Sequence, residues 1–181
     1  MLPLSANGFD LSTRATFKLH DPPHRPRCPR FVEIKSASMD ILLVEDSPGD
    51  IRLTLEAFRD ANPSVRLHVV NDGVEAMAFL RREGGHAQAP RPELVLLDLN
   101  MPKMDGREVL AQIKKDESLN LIPTIILTTS EADKDILESY QLQANCYLRK
   151  PVELEAFEGL VKQINDFWLT MARLPPPALP T

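Results

Sequence analysis

The chain has 181 residues, 43% of them hydrophobic and 26% charged, with a formal net charge of -5. That is enough for one core-bearing domain without metal or disulfide staples. No stretch approaches the roughly 20 apolar residues a membrane span needs, and the first residues lack the basic start and apolar core of a signal peptide. Of 21 Lys/Arg and 26 Asp/Glu, residues 1–38 hold six and three, which leaves 15 against 23 from Met39 onward. An acidic domain is a poor nucleic-acid binder through its bulk field. Cys28 and Cys146 stand far apart in dissimilar surroundings, which favours reduced thiols and a cytoplasmic setting over a structural bridge.

Residues 1–38 contain five of the 16 prolines and no sustained period, so a disordered, solvated extension is expected. Met39 stands directly before the first strong strand as a second candidate start. From Asp40 the pattern becomes regular. Ile41 to Val44 is an apolar strand ending in Glu45-Asp46, and Ser47-Pro48 opens a helix carrying Ile51, Leu55 and Phe58. That helix ends near Asn62-Pro63. Val65 to Val70 alternates like an edge strand, and Asn71-Asp72-Gly73 caps a helix whose apolar positions are Val74, Met77, Ala78 and Leu80. Glu83 to Pro92 reads as a surface loop.

Leu94 to Asp98 is a third strand, an apolar run stopping at a carboxylate, and Arg107 to Lys115 is the helix after it. Thr124 to Thr128 forms the fourth strand. Ser130 is expected to N-cap a helix running to about Leu142. Cys146 to Leu148 is a short fifth strand, and a last helix spans about Glu153 to Ala172. The tail from Leu174 is proline-rich and irregular. The expected domains are therefore an extension (1–38), one α/β domain (39–173) and a tail (174–181). Strict alternation predicts a five-stranded parallel sheet with helices on both faces.

The carboxyl ends of the strands carry Glu45 and Asp46, Asp98, Thr128 and Lys150. In a parallel sheet these converge on one rim, where ligands bind. Three carboxylates in one pocket repel unless a cation joins them, and a hard divalent ion such as Mg²⁺ fits oxygen ligands. Lys150 adds a positive charge and Thr128 a hydroxyl donor, which an incoming phosphoryl group requires. An Asp so placed can act as a nucleophile toward phosphorus. Taken singly, each residue reads more simply as a cap, a turn residue or a loop charge; the argument rests on their coincidence at successive strand ends.

The segments ILLVEDSPGD, LVLLDLNMPKMDG, IPTIILTTS and YLRKP resemble, in order, the signature segments of the response-regulator receiver domain. The resemblance spans about Asp40 to Met171 and implies the flavodoxin-like (βα)5 fold. It further implies Asp98 as phosphoacceptor and Mg²⁺ held by Asp46, Asp98 and the backbone carbonyl of Asn100, with Glu45 acting through water. Thr128 and Lys150 would grip the phosphoryl group, and Tyr147 would be the switch aromatic. It also implies a cis Lys150-Pro151 bond. Two departures stand out: Thr129 replaces the commonly small residue after the switch threonine, and the 83–92 loop is long.

In the last helix, Leu154, Phe157, Val161, Ile164, Trp168 and Met171 follow alternating spacings of three and four, broadened by Leu160 and Phe167. Ordinary core packing explains the first half of this seam, and the terminal aromatics Phe167 and Trp168 favour self-association through the face as a homodimer. The segment INDFWLTMARLPP is similar to stand-alone receivers that pair with bacterial phytochrome histidine kinases. The expected function is a response regulator that takes a phosphoryl group from a sensor histidine kinase and signals by protein contact or dimerisation. It is expected to have no enzymatic role beyond its own phosphorylation and dephosphorylation. The rivals are an aspartate-nucleophile phosphatase, disfavoured because position 100 is Asn instead of an acid, and a binding module that has lost phosphorylation.

Overall fold

An unbroken apolar run is stable as a strand only where both of its faces are covered, and two such runs lie at the centre of the molecule. The structure, a computed structural model, describes residues 38–175. Its strands are β1 (Met39–Val44), β2 (Val65–Val70), β3 (Leu94–Leu97), β4 (Thr124–Thr128) and β5 (Cys146–Arg149). The sheet order is β2-β1-β3-β4-β5, with every pair parallel. β1 and β3 occupy the interior of this order, and Ile41, Leu42, Leu94, Val95, Leu96 and Leu97 are wholly buried. β2 and β5 are the edges, with half-buried residues, as the alternation in Val65 to Val70 predicts.

The period of two divides the core. Leu42, Val44, Val95 and Leu97 pack on one face with residues of α2 (Gly73–Arg81) and α3 (Gly106–Lys115). Ile41, Leu43, Leu94 and Leu96 pack on the other with α1 (Pro48–Ala61) and α5 (Leu154–Ile164). Burying each such side chain contributes about 1.5–3 kcal/mol. The remaining helix, α4 (Asp133–Gln141), buries only Ser139 and leaves Leu137 and Tyr140 exposed.

Ser47 caps α1 by accepting the Asp50 N–H at 3.4 Å, and Pro48 occupies the first turn, where a missing N–H costs nothing. Asp72 caps α2 through Glu75 N–H at 2.9 Å. Asp105 caps α3 through the N–H groups of Arg107 and Glu108.

Five expectations are corrected. Val74 is exposed, and α2 buries Ala76 and Phe79 beside Met77 and Leu80, because the capped start rotates the inward face by one position. Ser130 is not an N-cap: α4 begins at Asp133, and the Ser130 hydroxyl turns instead to the Asp135 carboxylate at 2.6 Å. The last helix is not continuous to Ala172. After Ile164 it widens into a π-helical segment, Asn165–Met171, where buried Asn165 accepts a hydrogen bond from the Asn62 side chain at 3.0 Å.

The dimer seam is largely internal: Phe157, Val161 and Ile164 are buried against the sheet, and only Leu154, Phe167 and Met171 are well exposed, with Trp168 packed on its edge. Finally, no cis peptide occurs among the described residues, so Lys150-Pro151 is trans. The expected extension, with Cys28, and the tail beyond Pro175 lie outside the described residues.

Candidate functional site

The strand ladders deliver the polar residues to one rim. Val44 of β1 stands in register with Leu97 of β3, and the next N–H, that of Asp98, donates to the Val44 carbonyl at 3.0 Å. Glu45 N–H donates to the Val70 carbonyl at 3.0 Å, and Lys150 N–H to the Thr128 carbonyl at 2.7 Å. Glu45, Asp98 and Lys150 are thus last rungs of ladders, fixed by the backbone before their side chains make any contact.

The carboxylates of Glu45, Asp46 and Asp98 bring ligand oxygens within 4.8 Å of one another. Glu45 and Asp98 are buried, at 1% and 7% exposure. The Lys150 ammonium, itself buried, contacts Glu45 and lies 2.8 Å from Asp50 Oδ2 and 3.2 Å from Asp98 Oδ2. Burial works against its charge. Hydrogen bonds to Asp50 and Glu45 and the field of Asp98 more than offset that, holding the ammonium well above the ordinary lysine range. Burial also raises the Glu45 carboxyl above its usual value, against the opposing pull of Lys150. Ser47 N–H steadies Glu45 at 3.1 Å.

Asp98 Oδ1 accepts the Leu99 N–H at 2.6 Å and, more weakly, the Asn100 N–H at 3.4 Å. The loop that follows turns at Lys103, in the left-handed region at φ 66, and the Lys103 ammonium is held by Asp72. It closes at Gly106, where a Cβ would lie 2.0 Å from the Asp98 carbonyl oxygen. Only glycine permits that approach.

Thr128 is fully buried, its hydroxyl oxygen accepting the Ser130 N–H at 3.4 Å. The Tyr147 hydroxyl donates to the Ser130 carbonyl at 3.1 Å, and burial raises its pKa above that of a free tyrosine. Thr129 is exposed.

One contributor escaped the sequence reading. Asp50 passes for an ordinary acid in the first turn of α1, yet that turn lies over the rim and Asp50 reaches Lys150. The Asp50-to-Lys150 separation of 100 residues leaves no local signal for the pair. A hard divalent cation fits the donor set. Three carboxylates cluster there, two of them, Glu45 and Asp98, paired with the one Lys150 ammonium, and hard cations prefer oxygen ligands.

The sequence profile of the response regulator receiver domain matches residues 41–162. The chain is 47% identical over 135 residues to the response regulator Rcp1 of Synechocystis, covering 75% of this chain and 92% of that protein. The crystal structure of Rcp1 in its Mn²⁺-bound form matches with a TM-score of 0.72 at 47% identity, over 76% of this chain and 99% of that one. The phosphorylated cyanobacterial phytochrome response regulator RcpA matches with a TM-score of 0.75 at 50% identity, over 77% and 99%. Among the described residues no helix is long and apolar enough to cross a membrane. A profile match over most of the chain, a sheet of matching order and an acidic rim coincide, and the chain belongs to the response regulator receiver family.

Proposed function

We propose that Asp98 accepts a phosphoryl group from the phosphohistidine of a sensor histidine kinase of the phytochrome type. The Asp98 carboxylate attacks phosphorus, a P–O bond forms as the P–N bond breaks, and the electron pair leaves on the imidazole. Glu45, Asp46, Asp98 and the Asn100 carbonyl would hold Mg²⁺, which supplies charge compensation for the crowded oxygens. Thr128 donates its hydroxyl proton to a phosphoryl oxygen, and Lys150 pairs with another. Tyr147, bonded to the same loop as Thr128, passes the change to the surface of α4 and β5.

The observation that carries this reading is the buried Lys150 ammonium shared by Glu45 and Asp98, a positive charge already aimed at the acceptor. The kinase class is supported by likeness to RcpA, a phytochrome response regulator. Incubation with Mg²⁺ and a small phosphodonor should label the protein once per chain, and Asp98→Asn should abolish the label. Label surviving in that variant would remove Asp98 as the acceptor, and multiple turnover on small phosphate esters would favour the phosphatase.

A homodimer is a further part of this reading, now confined to the end of the last helix, where Phe167 and Met171 are 53% and 72% exposed. Sedimentation of wild type and Phe167→Ser tests it, and a monomer in both phosphorylation states would end it.

A further inference from the structure

α4 is seated by polar ties more than by apolar packing, since Ser139 is its single buried residue. The strongest of those ties come from α3. Arg107, one residue past Gly106, places its guanidinium 2.6 Å from Asp135 and 3.4 Å from Glu138. Both partners of the closer pair are four-fifths or more removed from solvent, so screening is weak. The second oxygen of Asp135 accepts the Ser130 hydroxyl proton at 2.6 Å.

Ser130 is a junction with three arms. Its hydroxyl holds Asp135, its carbonyl accepts from the Tyr147 hydroxyl at 3.1 Å, and its N–H donates to the Thr128 hydroxyl oxygen at 3.4 Å. That last bond occupies a lone pair on Thr128 and leaves the hydroxyl proton available for donation. Within the loop itself the Ser130 hydroxyl oxygen accepts the Ala132 N–H at 3.3 Å, and the neighbouring exposed ion pair between Glu131 and Arg149 is a weak restraint. Hydrogen bonding from Ser130 and the nearby Arg107 charge hold the Asp135 carboxyl below its ordinary range, so it stays ionised at neutral pH.

We propose that Arg107 is a positioning residue for phosphoryl acceptance: through Asp135 it fixes Ser130, and Ser130 fixes both the Thr128 hydroxyl and the Tyr147 ring. The inference rests on the reading of Asp98 as acceptor and Thr128 as hydrogen-bond donor to the phosphoryl group. Arg107 touches none of the reacting atoms. It sets the loop from which the donor is presented, and it ties that loop to α4 through the Asp135 side chain.

The test compares wild type with Arg107→Ala, Arg107→Lys and Arg81→Ala. Arg81 also bonds α3, through Gln112 at 3.1 Å, so its loss controls for a missing helix-to-helix tie. Labelling rate is measured against acetyl phosphate concentration and, separately, against Mg²⁺. Arg107→Ala should lower the maximal rate roughly fivefold, as expected for the loss of one positioning ion pair, while leaving both half-saturating concentrations unchanged. Arg107→Lys should recover most of the rate, and Arg81→Ala should retain all of it.

With 3-fluorotyrosine incorporated, the fluorine resonance of Tyr147 should move in Arg107→Ala and stay in Arg81→Ala. If Arg107→Ala does not fold, Asp135→Asn and Ser130→Ala carry the same rate prediction. A wild-type maximal rate in the folded Arg107 variant, or an equal loss in Arg81→Ala, overturns the inference while leaving Asp98 as acceptor. Label persisting in Asp98→Asn overturns the underlying reading instead.

Discussion

Lys150 lies closer to Asp50 than to Asp98, at 2.8 Å against 3.2 Å. Asp50 therefore competes with Asp98, the proposed acceptor, and on that reading later with its phosphoryl group, for the single buried ammonium. Asp50 is the more solvated partner, so its hold is worth on the order of 0.5–1 kcal/mol. Asp50→Asn should raise the fraction phosphorylated at a fixed acetyl phosphate concentration roughly two- to fivefold. Phosphate-affinity gel electrophoresis at steady state checks it; an unchanged or lower fraction would show that Asp50 does not compete.

Lys150 is the only ammonium bonded to Glu45 or Asp98 among the described residues. Removing it leaves two buried carboxylates facing each other, and Lys150→Ala should cost about 3 kcal/mol of folding stability without divalent metal. Added Mg²⁺ should stabilise this variant more than wild type, because the cation relieves a larger repulsion. Urea unfolding with chelator and with Mg²⁺ measures both terms.

At Gly106 an added methyl meets the Asp98 carbonyl, backbone that cannot turn aside. Gly106→Ala should destabilise the fold by about 3 kcal/mol, the upper range for overpacking, and weaken metal binding by displacing Asp98. Denaturant unfolding and Mn²⁺ titration should fail together; a stable variant with intact metal binding would contradict the geometry.

Asp72 ties two elements, capping α2 and holding Lys103 in the loop after Asp98. Lys103, followed by the Glu75 N–H, depresses the Asp72 carboxyl below its ordinary value. A depressed native pKa contributes stability that is fully present above the unfolded value, about 3.9, and is lost as pH falls through the native one. Asp72→Asn should therefore be less stable than wild type at neutral pH. The difference should shrink as pH falls from the unfolded value and vanish once the native carboxyl is protonated as well. Unfolding free energies across that range give the sign directly.

Much of the rim was legible because it is written at strand ends. Glu45, Asp46, Asp98, Thr128 and Lys150 each follow an apolar run, and a parallel sheet leaves them nowhere else to go. β2 and β4 begin and end where their β-branched runs and flanking prolines and glycines place them. What the sequence hid depends on rotation and long-range pairing. The inward face of α2 turned on its cap, the supposed dimer seam of α5 was largely the stripe that the sheet buries, and the Ser130 hydroxyl, accepting from Ala132 N–H before α4 begins, donates to Asp135. A period of three and four marks an apolar face without naming what covers it. Asp50 and Arg107 show no pattern at all in sequence, because their partners are set by the packing of whole helices.

The backbone N–H of Asp98 is bound to Val44, and that of Lys150 to Thr128, so the acceptor and its counter-charge end the sheet's own ladders. Their amides should exchange with deuterium as slowly as the central strands, whereas the amides from Ser130 to Asp133, tied mainly through side chains, should exchange orders of magnitude faster. The proposed acceptor is thus anchored to the slowest-opening part of the molecule and its proposed readout to one of the fastest. On the proposed reading, phosphoryl chemistry at Asp98 would reshape α4 without loosening the strand that carries it.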